Sequence, residues 1–191
     1  MNDEAEEIRE YLNGNMGAFH RLYARYERPL FFYIRSMLRH EQTAEDVFQD
    51  VWVSVLKKLS GFSFKGEFRN WLFTIAHHKV IDRVRASGSQ AAQSLDDDHG
   101  GDPGRSLQDL LADPAPGIVT RLADRELCDR IRAAAATLPA PQREVFLLRC
   151  DADLTFREIA GMTGAPLNTV LGRMHYAVLN IRKKLTVEMG S

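Results

Sequence analysis

Cysteine is nearly absent from this chain: Cys128 and Cys150 are the two thiols in 191 residues. They have no metal-ligand spacing and cannot build a disulfide framework, so both read as small buried apolar residues in a reducing compartment. There is no run of about 18 apolar residues, which excludes a membrane-spanning helix. The opening MNDEAEEIRE is acidic and lacks the basic-then-apolar order of a secretory signal. A cytoplasmic protein is the expectation. Alternating strand-like runs are also missing, whereas helical periodicity dominates, so the expected fold is all-α. Clustered carboxylates in a pocket-forming context are lacking too. A hydrolase using His77 or His78 would need them. Adjacent side chains on a helix point roughly 100° apart, and no nearby Cys or acid pattern completes a tetrahedral site around this pair. No metal, cofactor or small-molecule substrate is expected.

Net charge is only −1, but it is unevenly spread. Thr155 to Thr186 holds five Lys/Arg and one acid, and Lys65 to Arg85 holds five Lys/Arg and two acids. The acids gather at Asp3, Glu4, Glu6, Glu7 and Glu10, and again at Asp96, Asp97, Asp98, Asp102, Asp109 and Asp113. Two basic zones between acidic ones suggest two nucleic-acid contact points on a protein with other, acidic surfaces.

From Met16 to Leu38, Phe19, Leu22, Tyr23, Tyr26, Leu30, Ile34, Met37 and Leu38 recur at helical spacing, with Pro29 expected to kink or break the helix. Thr43 is the expected N-cap of the next helix, with Glu45 and Asp46 in its first turn. That helix places Val47, Val51, Val55 and Leu59 inside, flanked by Phe48, Trp52 and Leu56, and ends near Ser60-Gly61. After an aromatic loop, FSFKGEF, a helix over about Phe68 to Arg85 carries Trp71, Leu72, Ile75, Ile81 and Val84 as its apolar face. The stretch from Ser87 to Pro116 is rich in Gly, Ser, Asp, Gln and Pro and offers little apolar surface to offset ordering entropy. It reads as a flexible acidic linker over 88–117, which is too long for the inside of a compact domain. Two small helical domains follow from it, over 1–87 and 118–191. In the second, helices are expected from Ile118 to Leu138 and from Gln142 to Cys150.

The last third spells out a helix–turn–helix, LTFREIAGMTGAPLNTVLGRMHYAVLNIRKKL. Thr155 and Glu158 have capping-box spacing. Gly164 suits a sharp turn, and Pro166 suits the first turn of the next helix. Val170, Met174, Ala177, Val178, Ile181 and Leu185 form one apolar stripe. Asn168, Thr169, Leu171, Gly172, Arg173, His175 and Tyr176 fall largely off it and are candidates to face a ligand. A helix presented in this way usually enters the DNA major groove, although an αα-hairpin with a capped first helix also occurs in proteins that bind no DNA.

Three blocks in order, AEDVFQDVWVSVLKKL, FRNWLFTIAHHKVIDRVR, and LPAPQREVFLLR with the helix–turn–helix, resemble the extracytoplasmic-function sigma factors of bacterial RNA polymerase, a branch of the sigma-70 family. The resemblance implies a non-enzymatic initiation factor that gives core polymerase its promoter specificity. It implies that Asp46, Gln49 and Asp50 dock on the clamp helices of the β and β′ subunits. For −10 promoter DNA it points to Phe64, Lys65, Arg69, Asn70, His77, His78, Lys79, Arg83 and Arg85. For the −35 element it points to Arg149, Thr155, Asn168, Thr169, Leu171, Gly172, Arg173, His175 and Tyr176. An anti-sigma partner, often membrane-anchored in this family, is a further expectation. The chain departs from the family pattern in places. His77-His78 stand where relatives commonly carry Arg-Asn, and Leu171 and Tyr176 stand at positions that are often basic.

The residues fit such roles on their own chemistry. An acidic face suits a basic helical partner, where charge complementarity sets register and association rate. Aromatics beside a basic helix suit bases taken out of the stack, although Phe64 is equally a core candidate and Trp71 reads as core. Leu171 and Tyr176 are read as able to touch thymine methyls. Asp96-Asp97-Asp98 is either a mimic of nucleic-acid charge in the polymerase cleft or a solubilising spacer. The competing reading is a stand-alone helix–turn–helix regulator of the response-regulator output type. It expects an α/β receiver domain, for which residues 1–87 show no strand pattern, and it leaves the first two blocks unexplained.

Overall fold

The computed structural model describes residues 3–38, 40–62, 67–87 and 125–189; of 125–126 and 187–189 the backbone alone is described. Phe64, Lys65, the Asp96–Asp98 cluster and the linker expected over 88–117 lie outside these residues. The described residues contain helices and no strand. The chain divides into two compact units, Met1–Ser87 and Gly88–Ser191.

Among its described residues the first unit has four α-helices: α1 (Asp3–Leu12), α2 (Met16–Met37), α3 (Glu41–Lys58) and α4 (Phe68–Ala86), with a short 3₁₀ turn over Leu59–Gly61. The acidic start of the chain is itself a helix. α1 ends at Leu12, and Gly14 in the turn after it has a φ of +96°, which glycine adopts at no side-chain cost. Asn15 then caps α2 by accepting from the Gly17 N–H at 3.0 Å. Glu10 takes Arg21 at 2.6 Å, Glu7 takes Arg25 at 3.1 Å, and Glu4 accepts from the Tyr26 hydroxyl. Burial and this carboxylate together hold the Tyr26 phenol well above its ordinary range.

α2 runs through Pro29 without a break, so of the expected kink or break the break does not occur. Leu22, Tyr26, Leu30 and Ile34, buried on both sides of it, supply the packing that outweighs one lost backbone bond. α3 also differs from expectation. It starts at Glu41 with His40 as the cap, and Thr43 lies inside the first turn. Its inner line is as read: Val47, Val51, Val55 and Leu59 are buried. On α4 the buried line is Phe68, Leu72, Phe73, Ala76, His77, Val80 and Val84. Trp71, Ile75 and Ile81, expected in the core, are half-buried at its edge. Phe73 lies edge-on to Tyr33 at 5.8 Å.

Among its described residues the second unit has α5 (Arg125–Ala136), α6 (Ala140–Cys150), α7 (Phe156–Thr163) and α8 (Leu167–Met189). Pro139 and Pro141 start α6, where absent N–H groups cost nothing. The capping box on α7 is formed: the Thr155 hydroxyl accepts from the Glu158 N–H at 3.3 Å, and Glu158 Oε2 accepts from the Thr155 N–H at 2.8 Å. Gly164 closes α7 at φ +69°. Pro166 sits one residue before α8, and its carbonyl accepts from the Val170 N–H at 3.1 Å.

Both cysteines are buried thiols. Burial pushes the Cys150 thiol up to about 12, so it is not a reactive thiolate. Next to it, burial raises the Asp151 carboxyl, partly offset by Arg132 at 3.5 Å.

Candidate nucleic-acid interface

Three helix faces carry the candidate residues. On α3, Asp46, Gln49 and Asp50 are all exposed, on the side opposite Val47, Val51 and Val55. The helical step extends this line to Val53 and Leu56, which are 46% and 42% exposed. Neither was picked out as a contact from the sequence, yet their spacing from Asp50 places them on one stripe. Beside it runs a chain of aromatic rings. Trp52 lies 4.9 Å from Tyr23 and 5.7 Å from Phe19, and Phe48 lies 5.4 Å from Phe31. This packing fixes α3 against α2, so the acidic stripe is presented by a rigid support.

On α4, His78, Arg83 and Arg85 are exposed, and Arg69, Asn70 and Lys79 are half-buried. Arg69 is engaged by Glu67 at 2.9 Å. His77 corrects the sequence reading: it is 8% exposed and faces the interior, so His78 alone of the pair reaches the surface. The two rings lie 5.6 Å apart at 59°. Trp71 stacks on Phe62 at 5.1 Å and Phe68 at 5.8 Å, which ties the start of α4 to the end of the preceding turn.

On α8, Asn168 and Tyr176 are exposed, and Thr169, Gly172 and His175 are half-buried. Their positions recur at three- and four-residue steps, so they share a face. His175 and Tyr176 meet edge-on at 5.5 Å. Leu171 and Arg173 are corrections. They are 2% and 8% exposed and belong to the buried side with Val170, Met174, Ala177 and Ile181. The apolar band is simply wider than one line of residues, as expected of a helix packed against three others. Leu171 therefore has no surface to offer a thymine methyl.

Arg149 is the third correction on this unit. It is 5% exposed, with Nη1 at 3.3 Å from Asp153 Oδ1 and 3.5 Å from the Leu154 carbonyl, and its guanidinium lies over the Phe156 ring at 5.6 Å. It braces the loop in which Asp153 adopts φ +54°, a left-handed backbone uncommon outside glycine. Thr155 stays exposed, but its hydroxyl is committed to the α7 cap. Arg157, which the sequence reading passed over, adds to the basic surface and is exposed on the first turn of α7. Arg182, Lys183 and Lys184 are exposed at the end of α8, with Lys184 donating to Thr137.

The family profile described as sigma-70 region 2 matches residues 22–90, and that described as sigma-70 region 4 matches residues 128–179. The chain belongs to the extracytoplasmic-function sigma factors of the sigma-70 family. Among its relatives, RNA polymerase sigma factor YlaC of Bacillus subtilis is 28% identical over 86% of this chain and 90% of its own length. ECF RNA polymerase sigma factor SigW of the same organism is 26% identical over 93% of this chain and 94% of its own. The fold matches sigma factor RpoE from Bartonella quintana, solved in complex with the anti-sigma factor NepR. The TM-score is 0.62 at 22% identity, covering 88% of this chain and 97% of that one. As a sigma factor, the protein gives core RNA polymerase promoter specificity. Its α3 and α4 fall within the region 2 match, and its helix–turn–helix falls mostly within the region 4 match.

Proposed function

We propose that this sigma factor divides its work among the three faces. Residues 1–87 form the polymerase-binding and −10 domain. In it Asp46, Gln49 and Asp50 meet cationic helices of the β and β′ subunits, and His78, Lys79, Arg83 and Arg85 follow the phosphates of the −10 strand. Residues 88–117 form the connecting linker. Residues 118–191 form the −35 domain, which presents Asn168, Thr169, Gly172, His175 and Tyr176 to the major groove, with Arg157 and the Arg182–Lys184 run on flanking phosphates. The protein carries out no catalysis and acts in the cytoplasm. An anti-sigma factor holds it when it is not in use, as NepR is bound to the Bartonella relative.

The observation that carries this reading is the segregation of charge on one rigid unit. Acids lie on the outer line of α3, whereas on the outer line of α4 Lys79, Arg83 and Arg85 outnumber the one acid, Asp82. A protein that only binds DNA gains nothing from the first line, whereas one that must also dock on a basic protein needs both. Gel filtration of the purified chain with core polymerase, followed by run-off transcription from a −35/−10 template, tests it. Co-elution and promoter-dependent transcripts are expected. Binding to duplex DNA as a dimer without polymerase would favour the stand-alone regulator instead.

A further inference from the structure

Asp50 and Lys79 are assigned above to different partners, yet they meet. Lys79 Nζ lies 4.0 Å from Asp50 Oδ2 across the seam between α3 and α4. The Asp50 side chain is 70% exposed and that of Lys79 is 30% exposed. Beneath them Val47, Val51 and Val55 of α3, and Leu72, Ala76 and Val80 of α4, are buried, so the seam itself is fixed. Only the two charged ends are free to exchange partners. Asp50 continues the outer acidic line of Asp46 and Gln49, and Lys79 begins the step that leads to Arg83 on α4.

A carboxylate beside an ammonium neutralises it and stands in the way of a phosphate. A cation from a third body that takes the carboxylate reverses both effects. We propose that the pair is a hand-over contact. In the free sigma factor Asp50 holds Lys79 back from nucleic acid, and a polymerase cation docking on Asp50 releases Lys79 onto the promoter backbone. Asp50 is thus a positioning residue for Lys79 as well as a docking residue. The inference rests on the assignment of Asp50 to polymerase and of Lys79 to DNA. The pair is exposed, so it biases DNA binding and does not lock it. A coupling of about two- to fivefold in affinity is the expected size.

The test is a double-mutant cycle run twice on the full chain, with Asp50→Asn, Lys79→Gln and the double variant. In the free protein the probe is a fluorescent twelve-nucleotide oligo-dT. Asp50→Asn is expected to tighten binding when Lys79 is present and to do so less when it is Gln. In the holoenzyme, assembled at saturating core, the probe is a fork-junction DNA selected in vitro by the wild-type holoenzyme. There the coupling is expected to vanish. Asp46→Asn, one turn back on the same face, serves as the control, weakening core binding without coupling to Lys79. No coupling in the free protein, or coupling of undiminished size in the holoenzyme, overturns the hand-over even if Asp50→Asn loses core affinity. Unchanged core affinity of Asp50→Asn instead overturns the docking assignment, and the hand-over with it.

Discussion

The two units bury different materials. The first is packed with rings: Tyr33, Phe68 and Phe73 are at most 1% exposed, and Phe19, Tyr23, Phe31, Phe48 and Trp52 line its flank. The second has few aromatics and buries more charge, with Glu144, Arg149 and Arg173 at 2%, 5% and 8% exposure, where the first buries Glu7 at 8%. The consequence reaches the functional faces. In the first unit the rings do the packing, and the cations at the end of α4 remain at the surface. In the second, two of the arginines read as DNA contacts are consumed by the fold. Under the proposed assignment, duplex contact there falls to small, polar and aromatic side chains on α8, with cations only at the margins.

The sharpest way to break this comparison is to remove a ring. Phe73 is fully buried against Tyr33, and Phe73→Ala should cost about 3–5 kcal/mol. Both tryptophans, Trp52 and Trp71, lie in the first unit, so urea unfolding followed by tryptophan fluorescence reports on that unit. An unmoved midpoint would mean that its stability does not come from the ring packing.

Leu171 tests the other unit. A family-like base at this position, Leu171→Lys, would place an ammonium where the side chain is 2% exposed. The expected result is a loss of about 3 kcal/mol, read as faster amide exchange across α6–α8. Unchanged exchange together with tighter promoter binding would return Leu171 to the DNA face.

Leu171 also marks where sequence reading reached its limit. Local signals were legible because they depend on neighbours in the chain. The Thr155–Glu158 box, Gly164 at the turn and the inner valines of α3 formed as their spacing required. What failed depends on the width of the contact made by other helices. Period alone gives the centre of an apolar face and not its edges, so Leu171, Arg173 and His77 were placed outside when the neighbouring helices enclose them. The break offered as one outcome at Pro29 did not form for the same reason, since long-range packing outweighed a local penalty. Arg149 was read as a cation looking for phosphate, because Asp153 four residues on gave no sign that the pair would close around a left-handed turn.

Asp151 sharpens the contrast in buried charge. Burial raises its carboxyl in the folded state, so the folded unit holds that proton more tightly than the unfolded chain does. Its contribution to stability is therefore greatest at low pH. It is lost as pH rises from the ordinary aspartate value, about 3.9, through the folded one. Asp151→Asn removes this titration. The difference between wild-type and variant unfolding free energies, followed by far-ultraviolet circular dichroism in urea from about pH 4 to pH 7, should slope across that window and level off above it. Parallel curves would show that Arg132, at 3.5 Å, compensates the burial in full.

The smallest change in stability belongs to Tyr176, and it separates surface from interior on the same helix. Tyr176 is 38% exposed, two turns before the Arg182–Lys184 run and one turn from Gly172. Tyr176→Arg should leave stability within about 0.5 kcal/mol, since the exposed ring gives up little beyond its edge contact with His175. It should still strengthen duplex binding by the holoenzyme, because the face lacks a central cation. If the new guanidinium reaches a phosphate, the slope of log affinity against log salt should steepen by roughly one unit. If it reaches a guanine edge, affinity should rise on some upstream sequences and not others while the slope stays put. A protein that folds as before, with neither the slope nor the sequence preference changed, would place Tyr176 outside the groove. The −35 contact would then be carried by the amino-terminal turn of α8 around Asn168 and Thr169.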